Sequence, residues 1–378
     1  MPTPTSPSAT WIVRTQRTED QLRMKFTSPH VWPAEWEQQA ATWVAWPHNL
    51  DTWPGRFESI PPAFVKLVVA LSQFQSVHVL TGPANVRPSA AALLSKDALS
   101  KAGQLTQHPI QLHQVATNDT WIRDYGPTFV RRRDDGSLVG IDWKYNAWGG
   151  KYPPYGDDAL AAEMICRAAG CTRSMSSLYC EGGALETDGQ GTLLTTSSCL
   201  LSPTRNPGWT REMVETELKR QLGVEKILWV DGGGLSGDDT DGHIDQLARF
   251  VAPGVVVVAT SSDAGDPNRD GLEANLQQLR QSTATDGSPL TVQALPTPPP
   301  RIVDGQRAPE SYCNFLFANN CLIVPTFRNE ATDQAALKLL GQLLPQRKLI
   351  PLDAYDFIWG LGAWHCASQH QPAVRSIS

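Results

Sequence analysis

Apolar and polar positions along the chain alternate between two periods. Short β-branched or aromatic runs at 41–46, 77–80, 138–143, 192–197, 226–230, 255–260 and 316–325 read as strands. Segments 62–74, 90–102, 157–169, 209–222, 271–282 and 332–344 place apolar residues every three to four positions, as helices do. Pro61 and Pro62 suit a helix start, and Gly103, Gly170 and Gly223 fall where helices should stop. Two or three strands separate many successive helices, so the pattern predicts an α/β protein without simple βαβ alternation. Residues 1–28, rich in Thr, Ser and Pro, read as a loose tail, and Met24 is an alternative start. The stretch Pro296 to Pro300 looks linker-like, but strong motifs flank it on both sides, which argues against a boundary there. No repeat is visible by identity.

Composition narrows the class. Hydrophobic residues at 41% and charged residues at 19% exclude a disordered chain and supply a large core. With 38 acids against 32 bases the net charge is -6, the wrong sign for a general nucleic-acid partner. No apolar stretch approaches the ~18 residues of a membrane span, and the N-terminus lacks an apolar signal region. A cytoplasmic location without membrane association is therefore expected. Gly232, Gly233 and Gly234 follow a strand, but acids rather than a helix come next, and no G-x-x-x-x-G-K occurs. Seven cysteines without a C-x-x-C pair oppose a disulfide framework or a zinc ribbon. Six of them read as small buried residues; Cys366 has different company.

Five segments concentrate acids, His, Trp, Gly and one Cys: NDTWIRDYGPTFV (118–130), NAWGGKY (146–152), EGGALETDG (181–189), DDTDGHIDQ (238–246) and GLGAWHCASQ (360–369). Such loops are costly to bury unless they bind something polar. His243 and Asp245 are two apart, so an extended segment would aim both at one face, an arrangement suited to proton transfer and cation binding. The plain alternative is a solvated acidic turn before a strand at 244–251. A third is metal binding, since Asp241-x-His243-x-Asp245 fits a manganese ureohydrolase pattern; no second His and acid cluster accompanies it, so no metal ligand is assigned.

Cys366 can act as a nucleophile if a distant base is brought near, and His243 is the better partner because the adjacent His365 would point to the opposite face of a strand. Asp124 and Glu181 add carboxylates. Several acids around a thiol raise its pKa, but a guanidinium substrate, clamped bidentately by carboxylates, would restore the missing positive charge. Trp121 could stack on such a substrate or simply pack in the core.

These segments, together with WPAEWEQQAATWVAWPHN near the start and SYCNFLFANNCLIVPTF, resemble the agmatine deiminase family, which also contains bacterial peptidylarginine deiminases. They follow the family's order over residues 32 to 372. The resemblance implies a pentein fold, a five-bladed α/β propeller of ββαβ units around a central active-site channel, as a single domain over 29–378. It implies a hydrolase of linear amidines that converts agmatine to N-carbamoylputrescine and ammonia, a step toward putrescine, through a thiouronium on Cys366. His243 would be the acid–base residue, and Asp124 and Asp245 the guanidinium clamp. Glu181 would be a further acid on the guanidinium, Trp121 a substrate-contacting aromatic, and Asn314 a supporting residue. Asp239 stands where the family's agmatine enzymes carry a Glu, the acid that looks like the reader of agmatine's distal ammonium. No cofactor is implied, the partner is a small cationic guanidino compound, and a homo-oligomer is compatible with the chain. GLGAWHC departs from the family's GGGNIHC at Leu361, Ala363 and Trp364, and EGGALETDG from EGGSIHVDG. Arginine or peptidylarginine deimination is the nearest rival, for which Arg123 or Arg205 could read a carboxylate. A manganese ureohydrolase and an inactive guanidinium-binding module are the others.

Overall fold

The computed structural model describes residues 28–374, so the expected loose tail lies, apart from Ser28, outside the described residues. Five mixed sheets of three or four strands share one plan, and a two-stranded ribbon, Ile302–Val303 with Gln306–Arg307, stands beside them. In each plan an antiparallel pair is followed by a helix and then by a strand parallel to the second member. Ala248–Ala252 pairs with Val255–Thr260, which after helix Arg269–Arg280 pairs in parallel with Thr291–Pro296. Leu316–Ala318, Cys321–Thr326 and Lys348–Asp353 repeat this across helix Glu330–Leu343. So do Glu186–Thr187, Thr192–Thr195 and Lys226–Trp229 across helix Arg211–Leu222. Thr128–Arg132, Leu138–Lys144 and Thr172–Tyr179 do the same across helix Gly156–Ala169. The fifth draws on distant parts of the chain: Ser368–Pro372 pairs with Gln39–Ala45, which runs parallel to Ser76–Leu80 beyond helix Ile60–Ser72. The repeat absent from the sequence is present in topology.

The physical signals behave as expected where they are strong. Val256, Val257 and Val258 are fully buried, which explains an unbroken apolar run where alternation would mark a half-exposed strand. Phe64, Leu67 and Leu71 bury one face of the first long helix. Gly170 and Gly223 end their helices at φ 66° and 70°, a conformation that costs glycine nothing.

Three expectations need correction. The helix expected over 90–102 is two, Arg87–Leu94 and Lys96–Lys101, because Ser95 turns extended (ψ 147°) and its hydroxyl caps the Ala98 N–H. The strand expected over 316–325 is a hairpin, turned at Asn320 with φ 59°. The strand expected from 244 begins only at Ala248, because Ile244–Leu247 forms one helical turn.

That last turn belongs to a series. Single turns Ile122–Tyr125, Gly182–Ala184, Ile244–Leu247 and Tyr312–Asn314 each lie just before the first strand of a hairpin. A turn at 364–367 likewise precedes Ser368–Pro372. The candidate chemistry sits on these turns.

Candidate active site

Each turn delivers a site residue. Asp124 lies in the first, Glu181 directly precedes the second, and His243 and Asp245 open the third. Asn314 ends the fourth, and Cys366 lies in the last. All six are buried. His243 and Asp245 do not share a strand face, since His243 precedes a helical turn, yet they converge. A Cβ on Gly183 would lie 2.6 Å from His243 Nδ1, 2.7 Å from Asp124 Oδ1 and 3.1 Å from Asp245 Oδ2. Glycine is required there because the three groups meet around that empty position.

Cys366 Sγ accepts from Asn314 Nδ2 at 3.1 Å and lies 3.5 Å from Asp245 Oδ2. Asn314 Oδ1 in turn accepts the N–H groups of Ala363, His365 and Cys366 at 3.2, 3.2 and 3.3 Å, so one amide shapes the loop and touches the sulfur. Burial pushes the thiol well above its ordinary pKa, Asp245 and Asp124 push it further, and Asn314 opposes them. The conflict between acids and thiolate expected from the sequence is therefore built into the site.

The acids are held differently. Asp124 accepts from Trp148 Nε1 at 2.9 Å and from the Gly183 N–H at 3.0 Å. Burial nevertheless lifts it to about 6; Asp245 and Glu181 add to the rise and His243 opposes it. Burial also works against Glu181, but His243 and Arg205, whose Nε is 2.9 Å away, hold it at about 2. Asp245 stays below the usual carboxylate range despite burial, because His365 Nδ1 lies 2.8 Å from Oδ2 and His243 adds charge. His243 lies 3.6 Å from Asp124 and 3.8 Å from Glu181. Burial depresses it, but Asp124, Cys199 and Glu181 outweigh burial and raise it well above its ordinary value. Among the described residues, neither ring nitrogen of His243 nor Asp245 Oδ1 has a hydrogen-bond partner.

A cavity of about 700 Å³ opens over this floor, lined by Trp121, Asp124, Trp148, Asp239 and Cys366 among others. Trp121 packs on Trp53 and Phe357 at 5.6 Å and also faces the cavity. Asp239 lies half-buried in the wall, where Tyr152 donates its hydroxyl to the carboxylate and Lys151 donates to the backbone carbonyl. Asp51, Asp119, Asp157 and Asp158 line the same cavity; Lys151 is the one lysine or arginine described there, and it pairs with Asp241 at 2.9 Å. Neither arginine considered as a carboxylate reader is free. Arg123 bonds Gln369 at 2.9 Å, the His365 carbonyl at 3.2 Å and Glu35 at 3.5 Å, and Arg205 is spent on Glu181, Asp241 and the Thr240 carbonyl.

Several participants escape a reading of the sequence. Cys199, expected to be mere packing, has its sulfur 3.6 Å from Glu181. With His243 these two offer donor atoms all within 4.8 Å of one another. This grouping is not the Asp241-x-His243-x-Asp245 set, because Asp241 is turned to Lys151 and Arg205. Trp148 was within reach of inference, being part of NAWGGKY; it holds Asp124 from a left-handed conformation at φ 55°, which is costly for a tryptophan. His365 does not face the sulfur, as expected, but stands behind Asp245.

Fold and floor together define an α/β protein whose buried thiol, imidazole and three carboxylates can bind a compact cation and attack it. The chain belongs to the Porphyromonas-type peptidyl-arginine deiminase family, whose model matches residues 31–372. It is 34% identical to the agmatine deiminase of Stutzerimonas stutzeri over 364 residues, covering 90% of this chain and 95% of that protein. It is 33% identical to the agmatine deiminase of Ectopseudomonas mendocina over 366 residues, covering 91% and 95%. The solved agmatine deiminase of Enterococcus faecalis superposes with a TM-score of 0.78 at 31% identity, covering 91% of this chain and 96% of that one.

Proposed function

We propose that the protein is an agmatine deiminase. Asp124 and Asp245 hold the guanidinium, and its charge offsets the acids that oppose a thiolate on Cys366. The thiolate attacks the guanidinium carbon. His243 gives its proton to the departing nitrogen, ammonia leaves, and a thiouronium remains on sulfur. Water then attacks the same carbon, His243 takes one of its protons, the C–S bond breaks to return the thiolate, and the ureido product sheds the other proton to solvent. Glu181 keeps His243 charged for the first step. No cofactor takes part. The cavity's acids favour a cationic far end, and Asp239 is the acid assigned to it.

The observation that carries agmatine over arginine is that Arg123 and Arg205 are both consumed in buried contacts while the cavity wall is acidic. The family's description carries the second reading, a peptidyl arginine. We further infer that the five repeated sheets are the blades of a five-bladed propeller with the site in its channel, that 29–374, the described part of the expected 29–378, form one domain, and that the enzyme is cytoplasmic. The test is a comparison of ammonia and ureido product formed from agmatine, free arginine and a peptidyl arginine. Higher kcat/KM on agmatine is expected; equal or greater activity on either arginine overturns the assignment, and release of urea would overturn the thiol route.

A further inference from the structure

Glu35 comes from WPAEWEQQAATWVAWPHN and has no part in the chemistry above. It is 5% exposed, and both its oxygens are committed. Oε1 accepts the Phe317 N–H at 2.8 Å. Oε2 meets His365 Nε2 at 2.8 Å, Arg249 at 3.1 Å and Arg123 at 3.5 Å, with His370 Nδ1 at 3.8 Å. The other nitrogen of His365 meets Asp245 Oδ2 at 2.8 Å, and that oxygen lies 3.5 Å from Cys366 Sγ. A line of polar contacts thus runs from Glu35 through His365 and Asp245 to the sulfur.

We propose that Glu35 is a positioning residue for the reaction, acting through His365 to fix Asp245 Oδ2 and leave Oδ1 for the guanidinium. The inference rests on the deiminase reading for its substrate but not for its geometry. A neutral imidazole carries one N–H, so it can satisfy only one of two carboxylates; the other contact would set a lone pair against an anion. A ring protonated on both nitrogens donates to both. The ion pairing agrees: Glu35 and Glu186 pair with Arg123 and Arg249, whereas among the described residues Asp245 pairs with His365, so a charged ring gives that carboxylate its cation. Burial, Arg123 and Arg249 leave the ring's pKa below its ordinary value although Glu35 and Asp245 oppose them, so it is the two carboxylate contacts of 2.8 Å that argue for a ring protonated on both nitrogens. Removing the charge on Glu35 therefore tips the ring and weakens its grip on Asp245.

The variant Glu35→Gln keeps shape and removes charge. With agmatine across a pH series, kcat/KM is expected to fall roughly 10–100-fold, the size of effect that carboxylate–imidazole support has at ligand sites. KM should rise, the acid limb should move to higher pH, and Glu35→Asp should restore part of the loss. A purely structural role would lower the melting temperature and the active fraction but leave KM and the limb in place, and that result overturns the proposal. Nitrogen-15 histidine spectra of the unaltered protein give an independent reading, with His365 assigned by its loss in His365→Gln. Two protonated ring nitrogens are expected at neutral pH; a single proton, on Nε2, overturns the proposal even if every variant misfolds. Because the spectra need no turnover, failure on agmatine and failure of this line remain distinguishable.

Discussion

Replacing Asn314 separates two jobs that one amide performs. Its Oδ1 accepts three loop N–H groups, and its Nδ2 donates to Cys366 Sγ. Asn314→Asp, once ionised, keeps the acceptor and loses the donor. A hydrogen bond to a charged group contributes about 1.5–3 kcal/mol. At about 1.4 kcal/mol per pKa unit, its loss moves the thiol up by roughly one to two units before the added negative charge is counted. With the thiolate as nucleophile, kcat/KM at neutral pH should fall about 10–100-fold or more, because each unit removes a tenfold share of thiolate. Asn314→Ala should lose the same donor and also leave the buried N–H groups of Ala363 and Cys366 without an acceptor, each costing about 1 kcal/mol or more, while the His365 N–H keeps the Asn314 backbone carbonyl. The alanine variant should therefore melt well below the aspartate variant while both are slow. The assay is the pH dependence of Cys366 alkylation by iodoacetamide, read beside kcat/KM and thermal melting. An aspartate variant with an unshifted alkylation profile and undiminished kcat/KM would refute the assignment of Asn314 to the sulfur.

Two further outcomes are expected. Asp124 sits at about 6, and only its ionised form clamps a guanidinium, so kcat/KM should climb through about pH 6 and Asp124→Asn should abolish that limb while weakening binding and turnover together. Its folded pKa lies above the ordinary 3.8, so protonation stabilises the free fold fully below that value and the contribution is lost as pH rises through about 6; scanning calorimetry should find this fall flattened in Asp124→Asn. Gly183→Ala would press a methyl 2.6 Å from His243 Nδ1 and 2.7 Å from Asp124 Oδ1, so agmatine binding measured by calorimetry should be lost, and retained affinity would contradict the convergence of these groups.

What could be read from the sequence follows the strength of local signals. Cys366, His243, Asp124, Asp245 and Glu181 stood out because acids, glycines and aromatics crowd into short loops, and the structure brings all five together. The strands left unread, such as Thr172–Tyr179, Thr291–Pro296 and Lys348–Asp353, are the outer edges of their sheets, where mixed polar residues blur the two-residue alternation. Ser95 broke a helix through a cap that its periodicity could not show. Glu35 lacked any local mark, because its partners come from far along the chain, Asp245 among them only through His365. Cys199 looked like five other buried cysteines until Glu181 was placed beside it.

The pairing of Ser368–Pro372 with Gln39–Ala45 has a consequence for biosynthesis. Three of the mixed sheets are built wholly from neighbouring stretches and can form in order as the chain emerges from the ribosome. The sheet beside the nucleophile cannot, because its second strand is translated long before its first. Trp43 and Val44 must wait, unpaired on that side, until Ser368–Pro372 has been made long after them. Chemical competence therefore arrives in a single late event, and a stalled or shortened polypeptide would be inert however well the rest of it had folded.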